Sequence, residues 1–144
     1  MSIDTFRNEY RFLSNFYNSK FVFLSVEYDT VEHAYQSFKA TNEFDANLIR
    51  TAETPALAKS IGQRIDIRED WEKIKKSLML QLVRCKFFQN KELAQKLLDT
   101  DEEELIEGNT WNDVFWGVCK GRGQNNLGLI LMQVRNELKL AFFS

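Results

Sequence analysis

One long helical stripe restricts the fold of this chain more than any other feature. Between residues 70 and 89, apolar side chains recur at steps of three and four positions: Trp71, Ile74, Leu78, Leu82, Cys85 and Phe88. This period places them on one face of a helix, and that face must be buried against other elements. The stripe therefore predicts a long helix in the core of the protein.

Shorter helices are predicted on both sides of this stripe. Thr54 followed by Pro55 is a strong N-terminal signal, and Gly62 is a natural stop. Similar patterns predict further helices over residues 45–51, 92–99 and from 126 to the C-terminus. The sequence thus predicts a mainly α-helical fold.

The N-terminal third contains the only predicted strands. Phe21 to Phe23 and Val26 to Tyr28 are rich in aromatic and β-branched residues and predict a short β-hairpin. Residues 4–17 alternate aromatic and polar side chains, which predicts an extended, partly buried arm. The acidic run over residues 99–104 is expected to face solvent.

Composition limits the class of protein. With 144 residues and 44% hydrophobic content, the chain fits one domain with a real core. A net charge of −2 argues against general binding of nucleic acid. No apolar run is long enough for a membrane span or a signal peptide, so we expect a cytoplasmic protein that does not bind membranes. Two distant cysteines, Cys85 and Cys119, and a single histidine, His33, predict free thiols and no metal.

The stretch from Val31 to Lys39 is the strongest candidate for chemistry. In a helix, Glu32 and Lys39 are two turns apart on one face, with Tyr35 and Gln36 between them. Such a face presents a carboxylate, a phenol, an amide and an amine to a ligand. The alternative is an ordinary solvated face, with Glu32 bonding back to the chain in a capping box.

Two further segments suggest an anion. Residues 59–96 contain ten Lys and Arg against five Asp and Glu, an excess of five positive charges, although charged outer helix faces account for this equally well. Between residues 108 and 128 lie five of the six glycines, interleaved with Asn and Asp. This pattern predicts a shaped loop before the last helix, whose N-terminus favours phosphate.

Five blocks of the sequence together resemble a known family. They are Leu13-Ser14-Asn15-Phe16, then Val31 to Gln36 with Lys39, then Trp71 after Asp70, then Glu107 to Asp113 running into Trp116-Gly117, and last Gly121 to Gly128. In this order and spacing they are similar to the YbiA-like family, also called NADAR. The resemblance implies a compact α-helical domain spanning residues 1–144 that acts as an N-glycosidase on ribosylated nitrogen compounds.

The resemblance also implies roles for individual residues. Glu32 matches the catalytic carboxylate, Asp113 a second active-site acid, and Trp71 a ring that stacks on the substrate. Lys39 matches a candidate nucleophile that would form a Schiff base, and its alternative role is to pair with a substrate phosphate. The remaining candidates for substrate binding are Tyr35, Asn15, Arg7, Asn112, Trp116, Gly121 and Asn125. For Trp71 the alternative is an ordinary ring of the core, for Arg7 it is an ordinary surface arginine, and for Asn125 it is the cap of the last helix.

The expected function is a cofactor-free N-glycosidase that acts on a phosphorylated ribosylamine of riboflavin synthesis. The alternative within the family is removal of ADP-ribose from guanine in nucleic acid. From another class, the chain would be a non-catalytic module that binds nucleotides or ADP-ribose. The presence of Glu32, Lys39 and Asp113 together argues against a binding module.

Overall fold

The structure is a computed structural model that describes residues 1–143. These residues are mainly α-helical, as the sequence predicts. The helices are α1 (Val31–Ser37), α2 (Glu43–Arg50), α3 (Pro55–Gly62), α4 (Trp71–Phe88), α5 (Lys91–Leu98) and α6 (Asn126–Phe143). No helix within these residues has the length and hydropathy that a membrane span requires.

The chain forms two compact units. The first, Asn15–Lys86, is continuous, and the second joins Met1–Ser14 to the chain from Phe87 onward. Helix α4 lies almost wholly in the continuous unit and ends in the other.

The continuous unit is built from α1, α2 and α3, which pack against one another, together with most of α4. Each of the first three helices begins directly after an N-cap residue. The side chains of these residues, Thr30, Asn42 and Thr54, each accept a hydrogen bond from the backbone N–H three residues later. Below α2 and α3 lies a small aliphatic core: Ile49, Ala52 and Ala58, with Ile61 and Ile65 against it.

A hairpin precedes α1 in the same unit. Strands β2 (Phe21–Phe23) and β3 (Val26–Tyr28) pair antiparallel, with Phe21 opposite Tyr28. Leu24 and Ser25 form the turn with φ values of 51° and 68°. Turns of this hand match the twist of the strands, although glycine or asparagine normally occupies them. The hairpin delivers the chain to Thr30 and the start of α1.

The second unit combines α5, α6 and a short parallel pairing. Strand β1 (Ser2–Ile3) pairs with β4 (Glu104–Leu105), and α6 packs against both α5 and β4. The acidic run thus ends in a strand, where Glu104 is exposed and Leu105 is fully buried.

The prediction of an extended arm over residues 4–17 is wrong. Asn8–Leu13 form a 3-10 helix that buries Phe12 and Leu13. Phe12 packs edge-on against Phe87, with 6.4 Å between ring centroids. In a segment this short, the spacing of the aromatic residues fits a strand, with a period of two, and a 3-10 helix, with a period of three, almost equally well. The spacing alone therefore did not predict the helix, which the packing of Phe12 favours.

Helix α4 contains a lysine that is removed from water. Lys86 is 1% exposed, and burial lowers its pKa to about 7. Its ammonium lies 5.8 Å from the centroid of the Tyr17 ring. Burial in this way disfavours the charged form of the side chain.

This burial predicts a specific dependence of stability on pH. Between about pH 7 and 10.5 the unfolded chain binds a proton at Lys86 that the folded chain does not, so the free energy of unfolding rises with pH there. The free energy of unfolding of the parent should therefore rise relative to that of Lys86→Met by about 1.4 kcal/mol per pH unit over this range.

Denaturant titrations at several pH values measure this difference. Lys76→Met is the matched control, because Lys76 is an exposed lysine of the same helix. Its difference from the parent should not change with pH. A constant difference for Lys86→Met as well would contradict the lowered pKa.

Candidate active site

Glu32 is a carboxylate held inside the protein. Its side chain is 7% exposed, and its Oε2 accepts a hydrogen bond of 2.7 Å from Nε2 of Gln36, one turn later in α1. Burial raises the pKa of Glu32, and the Gln36 hydrogen bond and the charges of Lys59 and Lys39 oppose that shift. A buried carboxyl group with a raised pKa is a better proton acceptor than an exposed one.

The alternative role of Glu32 in a capping box does not apply. The N-cap of α1 is Thr30, whose hydroxyl accepts from the N–H of His33, so Glu32 is the second residue of the helix and not the third. Its own N–H donates to the carbonyl of Asn15 at 3.1 Å. The backbone N–H groups of Glu32 and His33 thus have hydrogen-bond partners other than the Glu32 carboxylate, so this carboxylate does not cap the helix.

Lys39, whose charge acts on the Glu32 carboxylate, lies over two aromatic rings that contact each other. The rings of Tyr35 and Trp71 contact each other with 4.9 Å between centroids and an angle of 54°. Lys39 Nζ lies 5.7 Å from the Tyr35 centroid and 5.8 Å from that of Trp71. Such placement over aromatic faces stabilises the ammonium form.

The position of Lys39 differs from the sequence-based expectation. Helix α1 ends at Ser37, and Lys39 occupies the following turn, where its N–H donates to the carbonyl of Gln36. Burial lowers the pKa of Lys39, the charges of Lys75 and Lys59 lower it further, and Glu32 and Glu72 oppose them. A lysine with a lowered pKa presents more of the neutral amine that acts as a nucleophile.

A glycine allows Gln36 to reach Glu32. Gly62, the last residue of α3, lies against the Gln36 side chain, and a Cβ at this position would overlap Gln36 Oε1. Gln36 is 3% exposed, and its Oε1 has no hydrogen-bond partner among residues 1–143. The glycine that sequence reasoning treated only as a helix stop is therefore required by the packing of the site.

His33 serves the structure. Its Nε2 lies 2.9 Å from the carbonyl of Ala52, so this nitrogen carries the proton. Its Nδ1 lies 2.8 Å from the hydroxyl of Thr30 and accepts from it. With both ring nitrogens hydrogen-bonded, the imidazole ties the start of α1 to the segment that follows α2.

Asp113 lies in the other unit, inside the glycine-rich loop. Its Oδ1 accepts hydrogen bonds from the N–H groups of Phe115 at 3.2 Å and Trp116 at 2.9 Å. The amide of Asn109 bonds both the N–H and the carbonyl of Asp113. These contacts fix the orientation of the carboxylate within its loop.

The other predicted site residues of this unit lie in different parts of it. Asn112 is exposed with a φ of 64°, and the Trp116 ring packs at right angles to that of Phe115. Asn125 accepts from the N–H of Glu107 and donates to the carbonyl of Leu105, so its side chain joins two loop segments. Arg7 and Gly121 line a cleft of about 470 Å³ together with Asp4, Thr5, Asn109 and Lys120.

The structure thus groups five of the predicted residues in the continuous unit: Glu32, Tyr35, Lys39, Trp71 and Asn15. It places the other six in the second unit: Arg7, Asn112, Asp113, Trp116, Gly121 and Asn125. Sequence reasoning treated Gly62 only as a helix stop and did not single out Lys59 or Lys75. The sequence nevertheless contained a signal for both lysines. Lys75 follows Trp71 by four positions and Lys59 precedes Gly62 by three, and residues at such spacings lie on the same face of a helix.

Comparison with known proteins places this geometry in a family. The NADAR domain matches residues 4–139, which include parts of both units. The resemblance that the sequence predicts is therefore confirmed.

Individual proteins that are similar to this chain support the family assignment. The N-glycosidase YbiA of Escherichia coli is 36% identical over 114 residues, which cover 77% of this chain and 71% of that protein. An N-glycosidase of Nostoc punctiforme is 38% identical over 116 residues, covering 76% and 74%. A riboflavin biosynthesis protein of Vibrio vulnificus is 37% identical over 131 residues, which are 89% of this chain but only 35% of that longer protein.

A solved structure has the same fold. The NMR structure of YbiA from Escherichia coli matches with a TM-score of 0.86 and 31% sequence identity. The match covers 98% of this chain and 85% of that one.

Proposed function

Because this chain belongs to the NADAR family and is a hydrolase of the N-glycosidase class, we propose that it cleaves a phosphorylated ribosylamine of riboflavin synthesis. The name of the Vibrio vulnificus relative supports this class of substrate. The observation that supports the proposal most is the buried Glu32 carboxylate, which is bonded to Gln36 and is acted on by the charge of Lys39, itself over the Tyr35 and Trp71 rings.

The proposed role of Glu32 follows from the bond to be broken. As the bond from the sugar C1 to nitrogen breaks, C1 acquires oxocarbenium character, which a nearby carboxylate stabilises. In direct hydrolysis, a water oxygen bonds to C1, Glu32 takes a proton from that water, and the leaving nitrogen gains a proton. The raised pKa of Glu32 suits it to accept that proton and later release it.

Lys39 supports a covalent route as well. A ribosylamine opens to an imine at C1, and the neutral amine of Lys39 attacks this carbon. The original nitrogen then leaves as a free amine, and a Schiff base joins C1 to Lys39 Nζ. Water hydrolyses the Schiff base, which releases the sugar phosphate and restores the lysine. The lowered pKa of Lys39 favours this route over a purely electrostatic role.

Trp71 and Tyr35 are proposed to position the ring of the substrate, and Asp113 is proposed as the second acid. The pair of rings is fixed by mutual contact, which reduces the entropy lost on binding. Asp113 is oriented by two backbone N–H groups within its own loop. Its role in the reaction stays a prediction that the family resemblance makes.

The experiment that tests the substrate compares two assays with the purified protein. Release of free amine and ribose 5-phosphate from the riboflavin intermediates is measured beside release of ADP-ribose from an ADP-ribosylated guanine oligonucleotide. Activity on the intermediates alone is the expected result. Activity on the oligonucleotide alone would overturn the proposed substrate, and activity on neither would favour a binding module.

Glu32→Gln should lower the rate of bond cleavage by at least about 100-fold, because glutamine cannot accept the proton. Substrate binding should change little, since glutamine has the same shape and its carbonyl can still accept from Gln36. Single-turnover kinetics and calorimetry separate the two effects. Glu69→Gln, at an exposed glutamate, is the control, and parental activity in Glu32→Gln would disprove the assignment.

A Schiff base at Lys39 should be trapped by borohydride during turnover as a stable secondary amine. Peptide mapping by mass spectrometry should locate the sugar phosphate on Lys39. Lys39→Arg keeps the charge but has no nucleophilic amine, so it should lose both the adduct and the activity. Normal turnover by Lys39→Arg without any adduct would show that the charge alone matters.

A further inference from the structure

Helix α3 directs one lysine toward the face of α1 that contains Glu32. Gly62 marks that face of α3, because it lies against the Gln36 side chain, which in turn bonds Glu32. Lys59 is three residues before Gly62 and therefore shares its face. The Lys59 ammonium thus belongs to the surroundings of the Glu32 and Gln36 pair.

Helix α4 directs a second lysine toward the same region. Trp71 marks the relevant face of α4, because its ring contacts Tyr35 and Lys39 Nζ lies over it. Lys75 follows Trp71 by four residues, one turn along that face. Its side chain is only 15% exposed, and its Nζ lies 2.8 Å from Glu72 Oε1.

The charges of these two lysines act on the catalytic candidates. Lys59 and Lys75 both lower the pKa of Lys39, and Lys59 also lowers that of Glu32. The anionic groups that oppose them at Lys39 are Glu32 and the largely exposed Glu72. Of the ten basic residues between 59 and 96, these are the two that act on Lys39 in this way.

We propose that Lys59 and Lys75 form a phosphate subsite beside Glu32, which holds the phosphate of the substrate sugar. A lysine ammonium is a compact charge with three donors, so Lys75 can keep Glu72 and still bind a phosphate oxygen. Two such groups from two helices suit a phosphate dianion. This inference rests on the proposed function, since it assigns the part of the substrate that does not react.

Binding of ribose 5-phosphate, followed by calorimetry, tests the subsite without any need for turnover. Lys59→Met and Lys75→Met should each weaken binding by about 10- to 100-fold, as expected for loss of a charge-assisted hydrogen bond. Lys76→Met is the matched control, because Lys76 is exposed on the next position of α4. Circular dichroism and thermal melts confirm that each variant is folded.

Steady-state kinetics provide a second test. If the two lysines had a purely structural role, the effect of their removal would not depend on the phosphate of the substrate. With a phosphorylated substrate, both variants should raise KM, because the phosphate contacts are already present before bond cleavage begins. Removal of the substrate phosphate should lower kcat/KM of the parent by about 10- to 100-fold more than that of either variant, so the comparison of the two substrates separates the phosphate contact from the effect of the lysines on Lys39.

The outcomes separate this inference from the proposed function. Two results would overturn the subsite while leaving the glycosidase proposal intact. One is that the parent does not bind ribose 5-phosphate. The other is that folded Lys59→Met and Lys75→Met both bind it as tightly as the parent. Binding that depends on both lysines, without cleavage of any riboflavin intermediate, would support the subsite and overturn the proposed substrate.

Discussion

The burial of the Glu32 carboxylate is the constraint on which the continuous unit depends. Removing an ionised carboxylate from water is costly unless hydrogen bonds and opposite charges compensate. Gln36 supplies the hydrogen bond from one turn later in α1, and a Cβ at Gly62, the last residue of α3, would overlap its Oε1. The absence of a side chain at Gly62 therefore makes room for the Gln36 amide between α1 and α3.

The same burial shifts the two ionisable groups of the site in opposite directions. It raises the pKa of Glu32 and lowers that of Lys39, so both shifts favour the neutral forms. Their mutual attraction opposes these shifts, and the neighbouring lysines tilt the balance toward a neutral Lys39. A carboxyl group and an amine that both titrate closer to neutrality are what cleavage of a glycosidic nitrogen requires.

In the second unit, side-chain hydrogen bonds hold the glycine-rich loop that lies outside the regular secondary structure. Asn109, Asp113, Asn125 and Asn126 bond the backbone of the glycine-rich loop at several points. Asn125 has a φ of 54°, a left-handed conformation that asparagine tolerates better than most residues. The loop that precedes α6 is thus shaped by residue types that were visible in the sequence as a cluster, although their partners were not.

The sequence by itself determined the helices and their caps, because a repeat of three and four apolar positions and residues such as Thr54 and Pro55 act locally. Helical spacing also predicted that Glu32, Tyr35, Gln36 and Lys39 share a face, and the family resemblance added Trp71. Only the tertiary structure decided the short 3-10 helix at Asn8–Leu13, the end of α1 before Lys39, and the contact of Gly62 with Gln36. These depend on which surfaces meet in space, and the spacing of residues along one element does not contain that information.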